Sequence, residues 1–400
     1  MADTADVVVI GGGVVGVSTA YALAARGVKR VVLVEKGALA SGASGRSSAL
    51  IRMHYTNEED ARLAFASFPI FRDWPEIMGG PPVFTHTGFL AVVGHADTAA
   101  LRANVAMLRG IGVDTTALSP AELLTLQPFV NADDIGAAAY EPASGYASPA
   151  DVVEGFRRRA QELGARVLPW TPVHRIVRRE SAVIGVETSA GRIDAGAVVV
   201  AAGAWAPRLC REIGLELPAR PKALDTMLVT RPPELAKPHM VFIDHVLGTY
   251  FRPESDVMTL VGVPCQVWDV DPDTMPTGLP PNAPAEGAQI LTHRIPVMER
   301  ASLARGYRAF DCYSADRHAI LGAVPGVDGL YLATAFSGSG FKTAPAVGAC
   351  MAELIVDGKS RTVDIEPFRL GRFAESKRVE GRHLYQPRRD HLEPETPPCR

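Results

Sequence analysis

The sequence predicts a Rossmann-like α/β domain joined to a second domain built mainly on an antiparallel sheet, an α/β plus α+β class. Residues 6–35 form one unit of apolar strand, glycine-rich turn, helix, second strand and acidic residue. Apolar strands recur at residues 198–202 and 330–334, each ahead of small residues. Residues 222–317 are rich in proline and in strand-forming side chains, which favours antiparallel pairing.

The turn after the first strand carries the pattern Gly-Gly-Gly-Val-Val-Gly from residue 11. Gly11 permits the tight turn, Gly13 lets the backbone approach a pyrophosphate, and Gly16 lets the helix pack closely on the strand. The N-terminus of that helix favours negative charge. Glu35 closes the second strand, where a carboxylate accepts a hydrogen bond from a ribose hydroxyl and disfavours a 2′-phosphate. The expected ligand is FAD or NAD rather than NADP.

Composition narrows the class of protein. The chain has 400 residues, 47% of them hydrophobic and 21% charged, which suits a globular enzyme of two domains. The net charge of -3 and the lack of a basic stripe argue against a nucleic-acid partner. No apolar run is long enough to cross a membrane. Five widely spaced cysteines without zinc-ligand spacing indicate reduced thiols, no metal site and a cytoplasmic protein, namely Cys210, Cys265, Cys312, Cys350 and Cys399.

Periodicity and turn residues place the other elements. Helices are predicted at residues 57–74, 99–111, 119–125, 148–163 and 345–356, the third opened by a capping box from Ser119 to Glu122. Strands are predicted at residues 84–93, 166–168, 173–178, 182–188, 192–202, 226–230, 245–252, 257–263 and 330–334. Residues 269–286 are expected to form an exposed loop, and the polar tail beyond residue 368 a docked or disordered extension without a site.

Two further loops are candidates for ligand contact. Residues 40–48 offer backbone N–H groups, hydroxyls and one guanidinium, which suits either the wrapping of phosphate oxygens or a flexible surface connection. Residues 337–342 form a second glycine loop at a helix N-terminus. Two helix starts are therefore expected to face one ligand.

These motifs, taken together, resemble the glycine/sarcosine oxidase-like branch of the D-amino-acid-oxidase (DAO) family of FAD enzymes, most of all its monomeric sarcosine oxidase-like members. The matching segments are residues 11–16 with Glu35, 44–48 leading into 50–55, 201–205 and 336–342. The resemblance implies an FAD domain made of residues 1–82, 148–217 and 315–370, a substrate domain of 83–147 and 218–314, and a C-terminal extension of 371–400.

The motifs and the resemblance together give a set of cofactor-binding residues. The resemblance alone implies that Val173 lies near the adenine and that Arg46, Ser47 and Ser48 lie along the pyrophosphate and flavin. The full set is Gly11, Gly13, Val14, Val15, Gly16, Glu35, Lys36, Ser44, Gly45, Arg46, Ser47, Ser48, Val173, Ala202, Gly203, Trp205, Gly338, Ser339, Gly340, Phe341 and Lys342.

The resemblance also implies that Arg52 and Lys342 hold a substrate carboxylate, since a guanidinium binds a carboxylate at two points and an ammonium adds a point charge. Without the resemblance, both residues would be expected to form structural ion pairs or to extend into solvent. His54 and Tyr250 are candidate pocket residues, with backbone bonding and sheet packing as their alternative roles. Less specific candidates for nearby charge are Asp311 and His318.

Four positions depart from the family pattern. Ala309 stands at the equivalent of a flavin-linking cysteine and Cys312 is displaced from it, so noncovalent FAD is expected. Ser339 replaces a frequent histidine. A rough alignment puts Thr259 where sarcosine oxidases carry a lysine over the flavin that assists the reaction with O2. The electron acceptor, O2 or another, therefore stays open.

The activity implied is oxidation of the C–N bond of a carboxylate-bearing amine, secondary or N-methylated, to an imine by hydride transfer to flavin N5. The amine is expected to react as its free base, so that activity rises with pH. Three other interpretations stay open: a D-amino-acid or proline-type dehydrogenase, the FAD-bearing subunit of a heteromeric oxidase, and a non-catalytic flavin-binding module. Homo- and hetero-oligomers are both compatible with the sequence.

Overall fold

Two eight-stranded sheets organise the chain in the computed structural model, which describes residues 3–235 and 238–386. In chain order the strands are β1 Asp3–Ile10, β2 Val31–Val34, β3 Leu50–Ile51, β4 Phe84–His86, β5 Phe89–Val93, β6 Thr116–Leu118, β7 Ala137–Glu141, β8 Gly145–Ala147, β9 Arg166–Leu168, β10 Val173–Arg179, β11 Ala182–Thr188, β12 Gly191–Val200, β13 Ala219–Thr230, β14 Val241–Asp244, β15 Thr249–Glu254, β16 Met258–Val263, β17 Ser302–Ser314, β18 Ile320–Ala323 and β19 Leu330–Thr334. The α-helices are α1 Val14–Ala25, α2 Glu58–Arg72, α3 Trp74–Met78, α4 Thr98–Ile111, α5 Pro120–Leu126, α6 Pro149–Glu162, α7 Ala206–Arg211, α8 Ala283–Arg294 and α9 Gly340–Asp357.

The first sheet has a parallel centre in the order β9, β2, β1, β12, β19. The β10–β11 hairpin pairs antiparallel with the start of β12, and β18 with β19. Side chains alternate between two apolar cores, so Val7 and Val9 face one and Val8 and Ile10 the other. Because parallel strands end at the same edge, the loops after β1, β2, β12 and β19 meet there.

Helices α1 and α9 follow β1 and β19 and pack directly against each other. Gly348 makes the close approach possible, since a Cβ there would lie 2.4 Å from the Ser18 hydroxyl oxygen. That hydroxyl donates across the contact to the Ala344 carbonyl at 2.9 Å. The two helix starts are therefore held side by side at the carboxyl edge of the first sheet.

The second sheet runs in the order β17, β13, β16, β15, β14, β5, β7, β6. All its pairs are antiparallel except β14 with β5, which confirms the predicted mainly antiparallel sheet. In a small third sheet, β3 and β4 both pair with β8. Strand β3 lies in the predicted FAD domain, whereas β4 and β8 lie in the predicted substrate domain. The predicted capping box from Ser119 to Glu122 is present at the start of α5.

Two predicted strands differ from the structure at turns. Residues 84–93 form two strands, because Thr87 and Gly88 turn to give both their N–H groups to the Ser144 carbonyl. The strand predicted at residues 245–252 is wrong over its first half, which is the turn between β14 and β15. There the Asp244 carboxylate accepts from the N–H groups of Val246 and Leu247, at 3.0 and 2.9 Å.

Helix ends and several strands also differ from prediction. Residues 269–286 are not all loop, because α8 begins at Ala283; Pro284 in its first turn needs no N–H partner and concealed the helix start. The predicted 57–74 helix ends at Arg72, and α9 begins at Gly340 rather than Pro345. Seven strands and the first half of β13 were not predicted, namely β3, β6, β7, β8, β14, β17 and β18.

The tail beyond residue 368 is docked as far as residue 386, one of the two predicted outcomes. Phe368 is fully buried, and Val379 belongs to the core of the first sheet. Residues 387–400, with Cys399, lie outside the described part of the chain. The other four cysteines are free thiols.

Candidate active site

One large cavity of about 830 Å³ opens at the edge where α1 and α9 begin. Its size is that of a cofactor or ligand pocket. The structure gathers around it, from the set predicted for cofactor and substrate, Gly11, Gly13, Val14, Val15, Glu35, Lys36, Ser44, Arg46, Ser47, Ser48, Arg52, Val173, Ala202, Gly203, Trp205, Tyr250, Gly338, Ser339, Gly340, Phe341 and Lys342.

Three residues of the predicted set do not line the cavity, each for a packing reason. A Cβ at Gly16 would lie 1.9 Å from the Gly11 carbonyl oxygen, so Gly16 serves helix-to-strand packing, as its motif position predicts. Gly45 is packed in the same way, since a Cβ there would lie 2.4 Å from the Ala40 carbonyl oxygen. His54 is buried behind Arg52.

The glycine turn is shaped by close backbone contacts. Gly11 has φ +116°, and a Cβ there would lie 2.4 Å from the Ala201 carbonyl oxygen at the end of β12. Gly13, by contrast, faces the cavity, with only the Ser44 hydroxyl 3.0 Å from where a Cβ would lie. That hydroxyl accepts from the Val14 N–H at 2.9 Å. The turn therefore exposes backbone to the cavity where a side chain would block it.

Glu35 is tied into this turn. Its carboxylate accepts from the Gly12 N–H at 2.6 Å and from the Gly37 N–H at 2.8 Å while lining the cavity. Neither α1 nor α9 has an acidic residue in its first turn or a side-chain cap of its own. Both helix starts therefore present positive potential, suited to phosphate or another anion.

A second group at the cavity wall joins the two sheets. Asp273, in the proline-rich segment predicted as a loop, pairs with Lys36 and with Arg208, the latter at 2.5 Å, and accepts from the Trp205 ring N–H at 2.9 Å. The Lys36 ammonium lies 3.9 Å from the Trp205 ring centroid. These four residues are called the Asp273 bridge. Asp273 could not be recognised from the sequence, since a carboxylate in an exposed loop is usually solvated.

Arg52, Tyr55 and Lys342 form a third group, called the Arg52 cluster. The Arg52 guanidinium carbon lies 4.4 Å from the centroid of the Tyr55 ring, and the Lys342 ammonium 5.9 Å from the same ring. Lys342 also donates to the Gly338 carbonyl at 3.0 Å. The Arg52 Nε and the Tyr55 hydroxyl are buried without a hydrogen-bond partner among the described residues.

Electrostatics perturb this cluster strongly. Burial, followed by the charge of Arg52, lowers the pKa of Lys342 to about 7. Burial raises the pKa of the Tyr55 hydroxyl well above its ordinary value, so it stays a hydrogen-bond donor. Within residues 3–235 and 238–386, neither Arg52 nor Lys342 makes an ion pair with a carboxylate. Their assignment to structural ion pairs is therefore not supported.

Two carboxylates line the cavity near these cations. Asp60, at the start of α2, bonds His318 with 2.5 Å between Oδ2 and Nδ1. Asp311 accepts from the N–H groups of Cys312 and Gly338, and burial raises its pKa to about 6. Asp60 was missed in the sequence because acidic residues are ordinary in the first turn of a helix.

The structure also locates the positions that depart from the family pattern. Thr259 is fully buried in β16 and bonds the His239 ring at 2.8 Å, so its placement beside the cofactor is wrong. Ala309 lines the cavity, whereas Cys312 is fully buried, and burial raises its pKa well above its ordinary value.

Neither a metal-binding cluster nor a membrane-spanning helix is found in the described part of the chain. Among the residues that the structure describes, no group of three His, Cys, Asp or Glu side chains is placed to hold a metal ion. Over the same residues, no helix combines the length and apolarity required to span a bilayer.

Known proteins resemble this chain over most of its length. Human mitochondrial sarcosine dehydrogenase is 28% identical over 93% of this chain and 42% of its own length. Glycine oxidase of Geobacillus kaustophilus is 28% identical over 92% of this chain and 97% of its own. Among solved structures, L-proline dehydrogenase from P. horikoshii superposes with a TM-score of 0.86 at 26% identity, covering 95% of this chain and all of that one.

A family model described as DAO, FAD dependent oxidoreductase, matches residues 6–354. Its match confirms the predicted family, fold class and FAD cofactor. The reaction class is FAD-dependent oxidation of an amino acid or amine. The chain is an enzyme of the DAO family of FAD-dependent oxidoreductases.

Proposed function

We propose that the protein oxidises the C–N bond of a carboxylate-bearing amine, secondary or N-alkylated, with noncovalently bound FAD. The observation that carries this proposal is the Arg52 cluster, in which two cations and a buried hydroxyl converge on one cavity without a protein carboxylate paired to them. Buried charge left unpaired is costly, and a bidentate carboxylate is the partner that a guanidinium fits best. A substrate carboxylate would satisfy Arg52, Lys342 and the Tyr55 hydroxyl together.

The residues around the cavity fit the cofactor of the family. The glycine turn with the start of α1, together with Ser44, Arg46 and the start of α9, would hold FAD through backbone N–H groups and hydroxyls. No cysteine of the described residues lines the cavity, which supports noncovalent attachment. Bound FAD supplies a two-electron acceptor for the hydride that leaves the substrate carbon.

The protein's own part is to bind and orient. Arg52 and Lys342 would fix the carboxylate, and Tyr250, on β15, would bound the cavity from the second sheet. Positive charge nearby lowers the pKa of a bound ammonium, which favours the neutral amine needed for oxidation. The oxidised product is an imine, which water hydrolyses to a carbonyl compound and the free amine.

A second candidate is a proline-type dehydrogenase. The specific observation in its favour is the likeness to L-proline dehydrogenase over 95% of this chain. Proline is itself a cyclic secondary amine with a carboxylate, so the Arg52 cluster serves either substrate. The two candidates differ in substrate shape and in electron acceptor, O2 or another.

The test is an anaerobic screen of the purified holoprotein, scored by loss of flavin absorbance. The panel holds sarcosine, glycine, L- and D-proline, and the carboxamide of each. We expect a secondary amino acid to bleach the flavin, its carboxamide to fail, and Arg52→Met to abolish the difference. Bleaching by acids and carboxamides alike would overturn the carboxylate assignment. Bleaching by no amine would favour a non-catalytic module, or a subunit that requires its partner.

We also propose that the protein is cytoplasmic. The four described cysteines are free thiols, as expected in a reducing compartment. The human relative named above is a mitochondrial protein, so fractionation of the native cell is the relevant measurement.

A further inference from the structure

The C-terminal segment from Val379 to Gln386, called the strap, lies beyond the residues 6–354 that match the family model. It crosses from the first sheet to α4, bonded at intervals along its length. Its hydrogen bonds are, in chain order, Val379 N–H to the Asp316 carboxylate (3.2 Å), Arg382 N–H to the Thr56 carbonyl (3.0 Å), the Asn104 amide to the His383 carbonyl (2.8 Å) and Gln386 N–H to the Asp97 carboxylate (3.0 Å).

Tyr385 is the strap residue that reaches the site. Its hydroxyl lies 2.6 Å from Nε2 of His54, and the two rings are stacked at 6.0 Å with 10° between their planes. The ring of His245, in the β14–β15 turn, also contacts Tyr385, with 4.6 Å between the two ring centroids. Burial raises the pKa of Tyr385 to about 12, so the hydroxyl stays neutral and able to donate.

His54 connects Tyr385 to the Arg52 cluster. The Arg52 guanidinium donates to the His54 backbone carbonyl, while the Tyr385 hydroxyl contacts the His54 ring, so this one residue carries both contacts. Burial, then the charges of Arg52 and His245, holds the pKa of His54 well below its ordinary value. The His54 Nδ1 has no hydrogen-bond partner among the described residues. Tyr385 therefore supplies the hydrogen bond that fixes the ring.

We propose that Tyr385, the strap residue that reaches His54, is a positioning residue for carboxylate binding and acts through His54 on Arg52. The inference rests on the proposed function, because it assigns Arg52 to the substrate carboxylate. The inference gives the C-terminal extension a role in carboxylate binding, although the extension lies outside the residues 6–354 that match the family model. An arginine held at one end needs such a support to present its free Nε in one direction.

The experiment compares Tyr385→Phe with Leu384→Ala in the full-length holoprotein. Tyr385→Phe keeps the stacked ring and removes the hydroxyl, whereas Leu384 is 65% exposed on the same strap. The readouts are the Kd of benzoate and of benzamide, each followed by flavin absorbance, and the KM of the best substrate. We expect Tyr385→Phe to weaken benzoate binding and raise the KM of the acid about tenfold, the worth of one such hydrogen bond. The Kd of benzamide, which lacks the carboxylate, should not change.

A double-mutant cycle separates positioning from a general structural effect. In an Arg52→Met background, Tyr385→Phe should have no further effect on benzoate affinity. Equal losses of affinity for benzoate and benzamide, or an unchanged benzoate Kd in Tyr385→Phe, would overturn the inference while leaving the proposed function intact. If no carboxylate binds the wild-type protein, the proposed function fails and the inference fails with it.

Discussion

The glycine turn and the Arg52 cluster present positive potential to the same cavity in two different ways. The turn uses backbone N–H groups from one continuous stretch, residues 11–16, which runs into the first turn of α1. The cluster uses side chains from the loop after β3 and from the start of α9, supported by His54 and the strap. Backbone recognition depends on residues that lack a side chain, whereas side-chain recognition depends on neighbours distant in sequence.

The largest effect is expected where the backbone itself carries the site. Gly11→Ala introduces a Cβ 2.4 Å from the Ala201 carbonyl at a φ of +116°, which an L residue rarely adopts. We expect the purified variant to lack flavin and not to regain it with added FAD. Gly196→Ala, an exposed position on β12 with nothing within 4 Å of its Cβ, should keep the wild-type flavin content. A yellow Gly11→Ala protein would contradict the role of the turn.

This contrast explains how much the sequence predicted. The β1–α1–β2 unit, the glycine turn and the small residues after β12 and β19 were recognisable because each signal is local. The same holds for the mainly antiparallel second sheet, whose class followed from composition. Arg52 and Lys342 became candidates only through the family resemblance, since a lone basic residue carries no local signal of its partner.

The misses share one physical cause, which is that they depend on tertiary contacts. The turn at residues 245–248 is stabilised by a carboxylate, Asp244, whose partners are backbone N–H groups within an apolar stretch. Asp273 was assigned to an exposed loop, and its three partners come from the first sheet's segments. Tyr385 contacts His54, which is more than 300 residues away in the sequence, and no pattern in the polar tail indicates that contact.

The next largest effect is expected at Lys342. Removing one charged contact to a carboxylate costs about 1.5–3 kcal/mol, so Lys342→Met should lower kcat/KM for an acid substrate about 10- to 150-fold. Because the ammonium is buried at a cost, the variant should unfold at an equal or higher temperature than the wild type. Lys359→Met, exposed just after the same helix, is the control and should leave both values unchanged. A variant that lost stability and kept its acid kinetics would refute the assignment.

The pH dependence tests the same residue without mutation. Lys342 has a pKa lowered to about 7, so the ammonium is charged below that pH and neutral above it. Benzoate binding should therefore be insensitive to pH just below 7 and weaken by up to tenfold per unit above it, with a proton taken up on binding. The range of pH 7–9 also avoids the titration of Asp311 at about 6. Oxidation of a free-base amine opposes this trend, so kcat/KM should pass through a maximum rather than rise steadily.

In Lys342→Met the benzoate Kd should lose this slope between pH 7 and 9, because the titrating ammonium has been removed. A slope that survives the substitution would assign the titration to another group. Calorimetry in buffers of different ionisation enthalpy measures the proton uptake directly.

The smallest effect is expected at the Asp273 bridge, where each partner is at least partly exposed. Exposed ion pairs contribute about 0.2–1 kcal/mol each, so losing the two ion pairs in Asp273→Asn should cost about 0.4–2 kcal/mol and speed the loss of FAD about two- to thirtyfold. The control is Asp269→Asn, whose carboxylate pairs with Arg220 and does not line the cavity. Dilution of the holoprotein into apoprotein-free buffer, followed by flavin fluorescence, gives the rate. High salt should bring the FAD release rates of the variant and the wild type closer together. It weakens the ion pairs of the wild-type bridge but not the backbone contacts of the glycine turn. A variant that releases FAD as slowly as the wild type would confine cofactor retention to the backbone turn.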